Sequence, residues 1–130
     1  MVVLMRKPLR ADVMLMVALA ICLGAPASVS GRAQPAETEV MEIDAERFSF
    51  TPSELRIGAG QTVELRIRSH DTNHGFRIVG TDINVVIPKR GRGSATVVFR
   101  PDKPGRYVFE CSKLCGAGHN FMRGVIVVSE

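Results

Sequence analysis

From Glu39 to the C terminus, no stretch of ten residues keeps the apolar spacing of a helix. Apolar and polar residues alternate instead. In Val63-Glu64-Leu65-Arg66-Ile67-Arg68 the apolar set points one way and the charges the other, as in a strand with one buried and one wet face. Phe76 and Ile78 continue the alternation, as do Tyr107 and Phe109. The β-branched runs at 84–87, 95–99 and 125–128 favour strands. Gly58-Ala59-Gly60-Gln61, Gly91-Arg92-Gly93 and Pro101-Asp102-Lys103-Pro104-Gly105 supply turn chemistry between them. The pattern predicts an all-β domain, a Greek-key β-sandwich of about seven short strands.

The 130 residues allow one domain, large enough to bury a core without a disulfide framework. Residues 1–33 read as a signal peptide. Arg6, Lys7 and Arg10 precede an unbroken apolar run of 11 residues, 13–23, and small residues follow. As an uncleaved anchor the run falls short of the roughly 20 residues a span needs. Residues 34–38 form a polar linker, and the folded domain covers 39–130. The chain is therefore expected to be exported, either periplasmic or on the outer face of the cytoplasmic membrane. The formal net charge of +4 belongs mostly to the leader; from Gln34 onward 13 basic residues face 12 acidic ones. That balance carries no footprint for nucleic acid, and Lys89, Arg90 and Arg92 read as a solvated basic loop.

One segment concentrates chemistry. Cys111-Ser112-Lys113-Leu114-Cys115-Gly116-Ala117-Gly118-His119-Asn120-Phe121-Met122 holds two thiols, an imidazole and a thioether, with no carboxylate among them. Thiolate with thioether favours copper, whereas zinc has little use for Met. The segment leaves one strand and enters the last, and Gly116 and Gly118 let it curl. His74, at the start of the strand bearing Phe76, supplies a further imidazole. His70 reads as a satisfied surface residue and Asp71 as a turn residue or a partner fixing a ligating His. A mononuclear blue-copper site needs one Cys; two thiolates held close can each bridge two metal ions.

The segment resembles the copper-A loop of cytochrome c oxidase subunit II, with the pattern C-x-E-x-C-G-x-x-H-x-x-M, and the matching domain of nitrous oxide reductase. The upstream His74-Gly75-Phe76 also agrees. The resemblance covers roughly residues 40 to 130 and implies a cupredoxin domain with a dinuclear copper-A centre of two copper ions. Carried over, it implies that Cys111 and Cys115 bridge the coppers, that His74 and Met122 serve one, and that His119 and the backbone carbonyl of Lys113 serve the other. Lys113 departs from the pattern, since the family has Glu there. The ligand is a main-chain carbonyl and survives the change, but an ammonium cannot accept the metal contact that the family's Glu makes.

The resemblance implies an electron carrier in a respiratory or related exported chain, with redox protein partners such as a cytochrome c or a terminal oxidase or reductase. Any oxidase activity belongs to such a partner. Membrane contact would come only through the N-terminal segment or a membrane-bound partner. A Cu(I) chaperone or storage protein could use the same ligands, and a Cys2His2 zinc site or a Cys111–Cys115 disulfide would leave the Gly, His and Met pattern unexplained.

Overall fold

The computed structural model describes residues 37–130. The expected signal segment, 1–33, and most of the linker lie outside the described residues. Nine strands form: β1 (Glu39–Glu46), β2 (Ser49–Thr51), β3 (Glu54–Gly58), β4 (Val63–Ser69), β5 (His74–Ile78), β6 (Asn84–Ile87), β7 (Ser94–Phe99), β8 (Gly105–Glu110) and β9 (Arg123–Ser129). They make a four-stranded sheet in the order β2-β1-β4-β7 and a five-stranded sheet in the order β3-β9-β8-β5-β6. The one helical element among the described residues is a 3₁₀ turn, His119–Phe121. None of the described helices is long and apolar enough to cross a membrane.

The expected all-β sandwich is the observed fold, with nine strands among the described residues rather than about seven. The extra ones are short. β2 holds three residues of one edge, antiparallel to the end of β1. The chain then crosses to the other sheet, where β3 pairs in parallel with β9. Pro52-Ser53 separates the two and breaks what reads as one extended segment. β1 likewise pairs in parallel with β4. Parallel partners come from distant parts of the chain, and alternation within one strand does not reveal them.

Alternation does place the core. In β4, Val63, Leu65 and Ile67 are fully buried while Arg66 and Arg68 face water. Phe50, Phe76 and Phe109 meet at the centre, with ring centroids 5.2 to 5.8 Å apart. The two contacts of Phe50 are edge-to-face and the Phe76–Phe109 pair is tilted, and such contacts add to the burial of the rings themselves. Gly124 makes room for the cluster: a Cβ there would stand 2.2 Å from Phe109 Cζ and 2.5 Å from the Ser53 carbonyl.

Three of the inward rows end in side chains of another kind. His74, Phe76 and Ile78 share one face of β5. Phe109 is followed on its own face by Cys111, and Met122 precedes Gly124 and Ile126 on theirs. The strands β9, β8 and β5 are consecutive neighbours, with β8 antiparallel to the other two. His74, Cys111 and Met122 therefore reach the same end of the sandwich, as the top layer of the core. Phe109→Ala should cost about 3–5 kcal/mol, and urea unfolding of the mutant against the wild type measures it.

Candidate metal centre

The Cys111 N–H donates to the Met122 carbonyl at 3.0 Å. This bond extends the β8–β9 ladder by one pair beyond Glu110↔Arg123 and closes the loop 112–121 at its base. Within the loop, the His119–Phe121 3₁₀ turn brings the chain back: the His119 N–H donates to the Gly116 carbonyl at 3.1 Å, and the Met122 N–H to the His119 carbonyl at 3.2 Å.

The loop also folds across β5. Ser112 Oγ donates to Asn84 Oδ1 on β6 at 2.7 Å. The chain passes so close to β5 that a Cβ on Gly75 would lie 2.2 Å from Ser112 Oγ and 2.6 Å from the Lys113 backbone nitrogen. The Gly75 N–H points at Cys111 Sγ, 3.5 Å away. On the other side the loop meets Phe48, from the β1–β2 turn. A Cβ on Gly118 would fall 2.2 Å from that ring, and one on Gly116 2.8 Å from it. Gly116 also has a φ of 140°, which disfavours other residues. Gly118, at φ −91°, is there for space and not for conformation.

All six expected donors converge. The Cys111 and Cys115 sulfurs are free thiols 3.7 Å apart. The donor atoms of His74, Cys111 and Cys115 all lie within 4.8 Å of one another. His74 Nδ1 stands 4.0 Å from Cys111 Sγ, and His119 Nδ1 stands 3.8 Å from Cys115 Sγ. Met122 Sδ is 3.9 Å from Cys115 Sγ, and the Lys113 carbonyl oxygen is 3.1 Å from Cys111 Sγ. His74 and Met122 are buried, 0% and 1% exposed. His119 is half-buried and lines a depression of ≈ 330 Å³ with Cys111 and Met122 in its wall.

His70 stands apart. It lies just past the end of β4, with its Nε2 2.9 Å from Oδ1 of Asp44 on β1. Asp71 supports His74: its Oδ1 is 2.7 Å from His74 Nε2, which leaves Nδ1 turned to the sulfurs. The same carboxylate accepts the Arg47 backbone N–H at 3.0 Å. Burial works to raise the Asp71 pKa, but the hydrogen bonds from His74 and from the Arg47 and Thr72 backbone outweigh it and hold the group at about 2. Arg47 Nε in turn donates to the Cys115 carbonyl at 2.8 Å. Sequence reading missed Arg47 and Phe48, which lie 64 and more positions before the loop and carry no ligand chemistry. The Cys115 thiol is pushed up to about 11, by burial first and then by the Cys111 sulfur beside it. Both effects disfavour a lone thiolate, so charge on this sulfur calls for a cation next to it.

The model of the cupredoxin-like domain matches residues 13–128 of this sequence. The chain belongs to the cupredoxin-like family. This cupredoxin is 38% identical over 84 residues to cytochrome c oxidase subunit 2 of Thermus thermophilus, a match covering 64% of this chain and 60% of the relative. It is 28% identical over 103 residues to nitrous-oxide reductase of Ralstonia nicotianae, covering 76% of this chain and 16% of that protein. In structure it is similar to a chain of a haem-copper terminal oxidase dimer, with a TM-score of 0.62 and 27% identity over 75% of this chain and 74% of that one. The matched part spans 60% and 48% of the length of two oxidase subunit relatives from Thermus thermophilus. The domain is thus a cupredoxin similar to oxidase subunit II.

The close passage at β5 can be tested without metal. Gly75→Ala should destabilise this cupredoxin by about 1–3 kcal/mol through overpacking. Gly58→Ala, whose Cβ would meet only Gln61 Oε1 at 3.7 Å, should stay within about 1 kcal/mol of wild type. Thermal unfolding of the two metal-free variants gives the comparison.

Proposed function

We propose that this cupredoxin binds two copper ions in a dinuclear copper-A centre and carries single electrons between redox proteins on the outer side of the cytoplasmic membrane. The reading rests above all on the second cysteine. Cys115 is buried beside Cys111, unbonded to it, with an imidazole and a thioether against its sulfur. Two thiols, two imidazoles, a thioether and a carbonyl without a carboxylate fit copper best. A Cys2His2 zinc site would give Met122 no reason to turn its sulfur to Cys115 from a fully buried position.

In this reading Cys111 and Cys115, with His74, Met122, His119 and the Lys113 carbonyl, would hold the ions. The bound pair would supply one-electron chemistry with the charge change spread over both ions and both sulfurs. The chain's own residues hold the donors still. Asp71 keeps the His74 ring in one orientation, the Cys111–Met122 hydrogen bond fixes the loop base, and Phe48 and Gly75 fix its two flanks. Little needs to move when the charge changes. The oxidase subunit relatives make a cytochrome c, a terminal oxidase or a reductase the natural kind of partner.

Two measurements test the reading. Copper loading under non-oxidising conditions should give two coppers per chain and a mixed-valence EPR signal. One copper with a single intense blue band overturns the dinuclear centre. Cys115→Ser should abolish that signal and leave at most a mononuclear site. His74→Ala should change the visible spectrum strongly while His70→Ala leaves it intact; the reverse result would move the upstream ligand to His70.

A further inference from the structure

The donor end of the sandwich also collects positive charge. The His74↔Ile87 register brings the β6–β7 loop to that end. The loop is tied there: the Lys89 N–H donates to Asn73 Oδ1 at 2.7 Å, and the Arg90 N–H to the Asp71 carbonyl at 3.2 Å. Lys89, Arg90 and Arg92 are exposed on it. Arg47 on the β1–β2 turn, Lys113 in the donor loop and Arg123 at its foot are exposed as well. Among the described residues none of these six cations makes an ion pair. The acids nearby are engaged: Asp44 by Arg68 and His70, Asp71 by His74, Glu110 by Arg77, and Glu54 by Arg56. Glu46 is the exposed acid left over at this end.

The opposite end carries Glu39, Asp82, Asp102 and Glu130 together with Arg100, Lys103 and Arg106, so that its charges largely offset one another. A domain close to neutral in total therefore gathers its excess of positive charge at the donor end. At this same end, in the donor loop, stand Leu114 and Phe121, 80% and 81% exposed. They are the two most exposed large apolar side chains among the described residues.

We propose that this end is the docking surface for a redox protein whose own contact face is acidic around an apolar centre. The proposal rests on the electron-transfer reading of the site. Apolar side chains at the middle with charges around them are the arrangement of a protein–protein contact. Unpaired rim charges steer encounter and set the salt dependence of its rate. Two apolar side chains suit a transient contact that must release its partner after each electron.

The test uses the full chain loaded with copper, its visible spectrum recorded on the same sample. Stopped-flow mixing follows one-electron reduction of the oxidised protein by the ferrous form of an acidic cytochrome c, then of a basic one, across ionic strength. We expect the acidic cytochrome to react at least about tenfold faster at low salt, with the advantage lost near about 0.5 M salt. The triple variant Lys89→Glu, Arg90→Glu, Arg92→Glu should lower that rate about tenfold at low salt and leave the spectrum unchanged. Leu114→Ser with Phe121→Ser should lower it at every salt concentration. A faster, salt-sensitive reaction with the basic cytochrome overturns the proposal, as does a triple variant that reacts like wild type. Tighter binding to phosphatidylglycerol vesicles than to the acidic cytochrome would make the surface a membrane face instead. A second readout needs no copper: amide NMR shifts of 89–92, 113–114 and 121–123 in the metal-free chain should move on adding the acidic cytochrome at low salt. If the copper spectrum is not that of a dinuclear centre while these shifts appear, the metal reading fails and the docking surface stands. If the shifts stay put, the surface fails on its own account.

Discussion

Everything at the donor end depends on three neighbouring strands carrying their inward rows to one place. His74 continues the row of Phe76 and Ile78, Cys111 that of Phe109, and Met122 that of Gly124 and Ile126. A sheet side chain cannot turn to the other face without shifting the register of its whole strand. The same burial that fixes Phe76 and Phe109 at 0% exposure thus fixes where His74 and Cys111 point. The site inherits its precision from the core, and the loop has only to bring Cys115 and His119 to donors already in position.

Much of this was legible in the sequence because it depends on local order. Alternation identified the strands and the face of each, so Val63, Leu65, Ile67, Phe76, Ile78 and Phe109 were correctly read as inward. The spacing of Cys111, Cys115, His119 and Met122 marked the loop, and the structure brings all four together with His74 and the Lys113 carbonyl. The choice of His74 over His70 rested on the match of His74-Gly75-Phe76 to the family pattern; in the structure His74 shares the inward face of Phe76, while His70 falls beyond the end of β4 and meets Asp44.

What sequence could not give are contacts made by chain passing over chain. The parallel pairings β1–β4 and β3–β9 join segments with no local signature. Phe48 lies far from Gly116 and Gly118 in sequence, yet its ring sets the space they have. Gly75 reads as one residue of a short motif, and only the passage of Ser112 and Lys113 over β5 shows why a side chain cannot stand there. The basic cluster at Lys89, Arg90 and Arg92 looks like any solvated turn until hydrogen bonds to Asn73 and Asp71 place it beside the donors. Net charge was equally uninformative, since a sum hides how charge is distributed along an axis.

The hydrogen bond from the Cys111 N–H to the Met122 carbonyl separates two inheritances in this chain. Below it, strands answer to one another, and a change in any row disturbs its neighbours across the sheet. Above it, ten residues form a cassette whose two ends are held at a fixed distance whatever lies between. Such a cassette can change at its outward positions without renegotiating the core beneath, while Ser112, Lys113, Gly116 and Gly118 still answer to Gly75 and Phe48. The identity of the metal and the scaffold that holds it are thus free to drift apart over generations, each judged on its own merits.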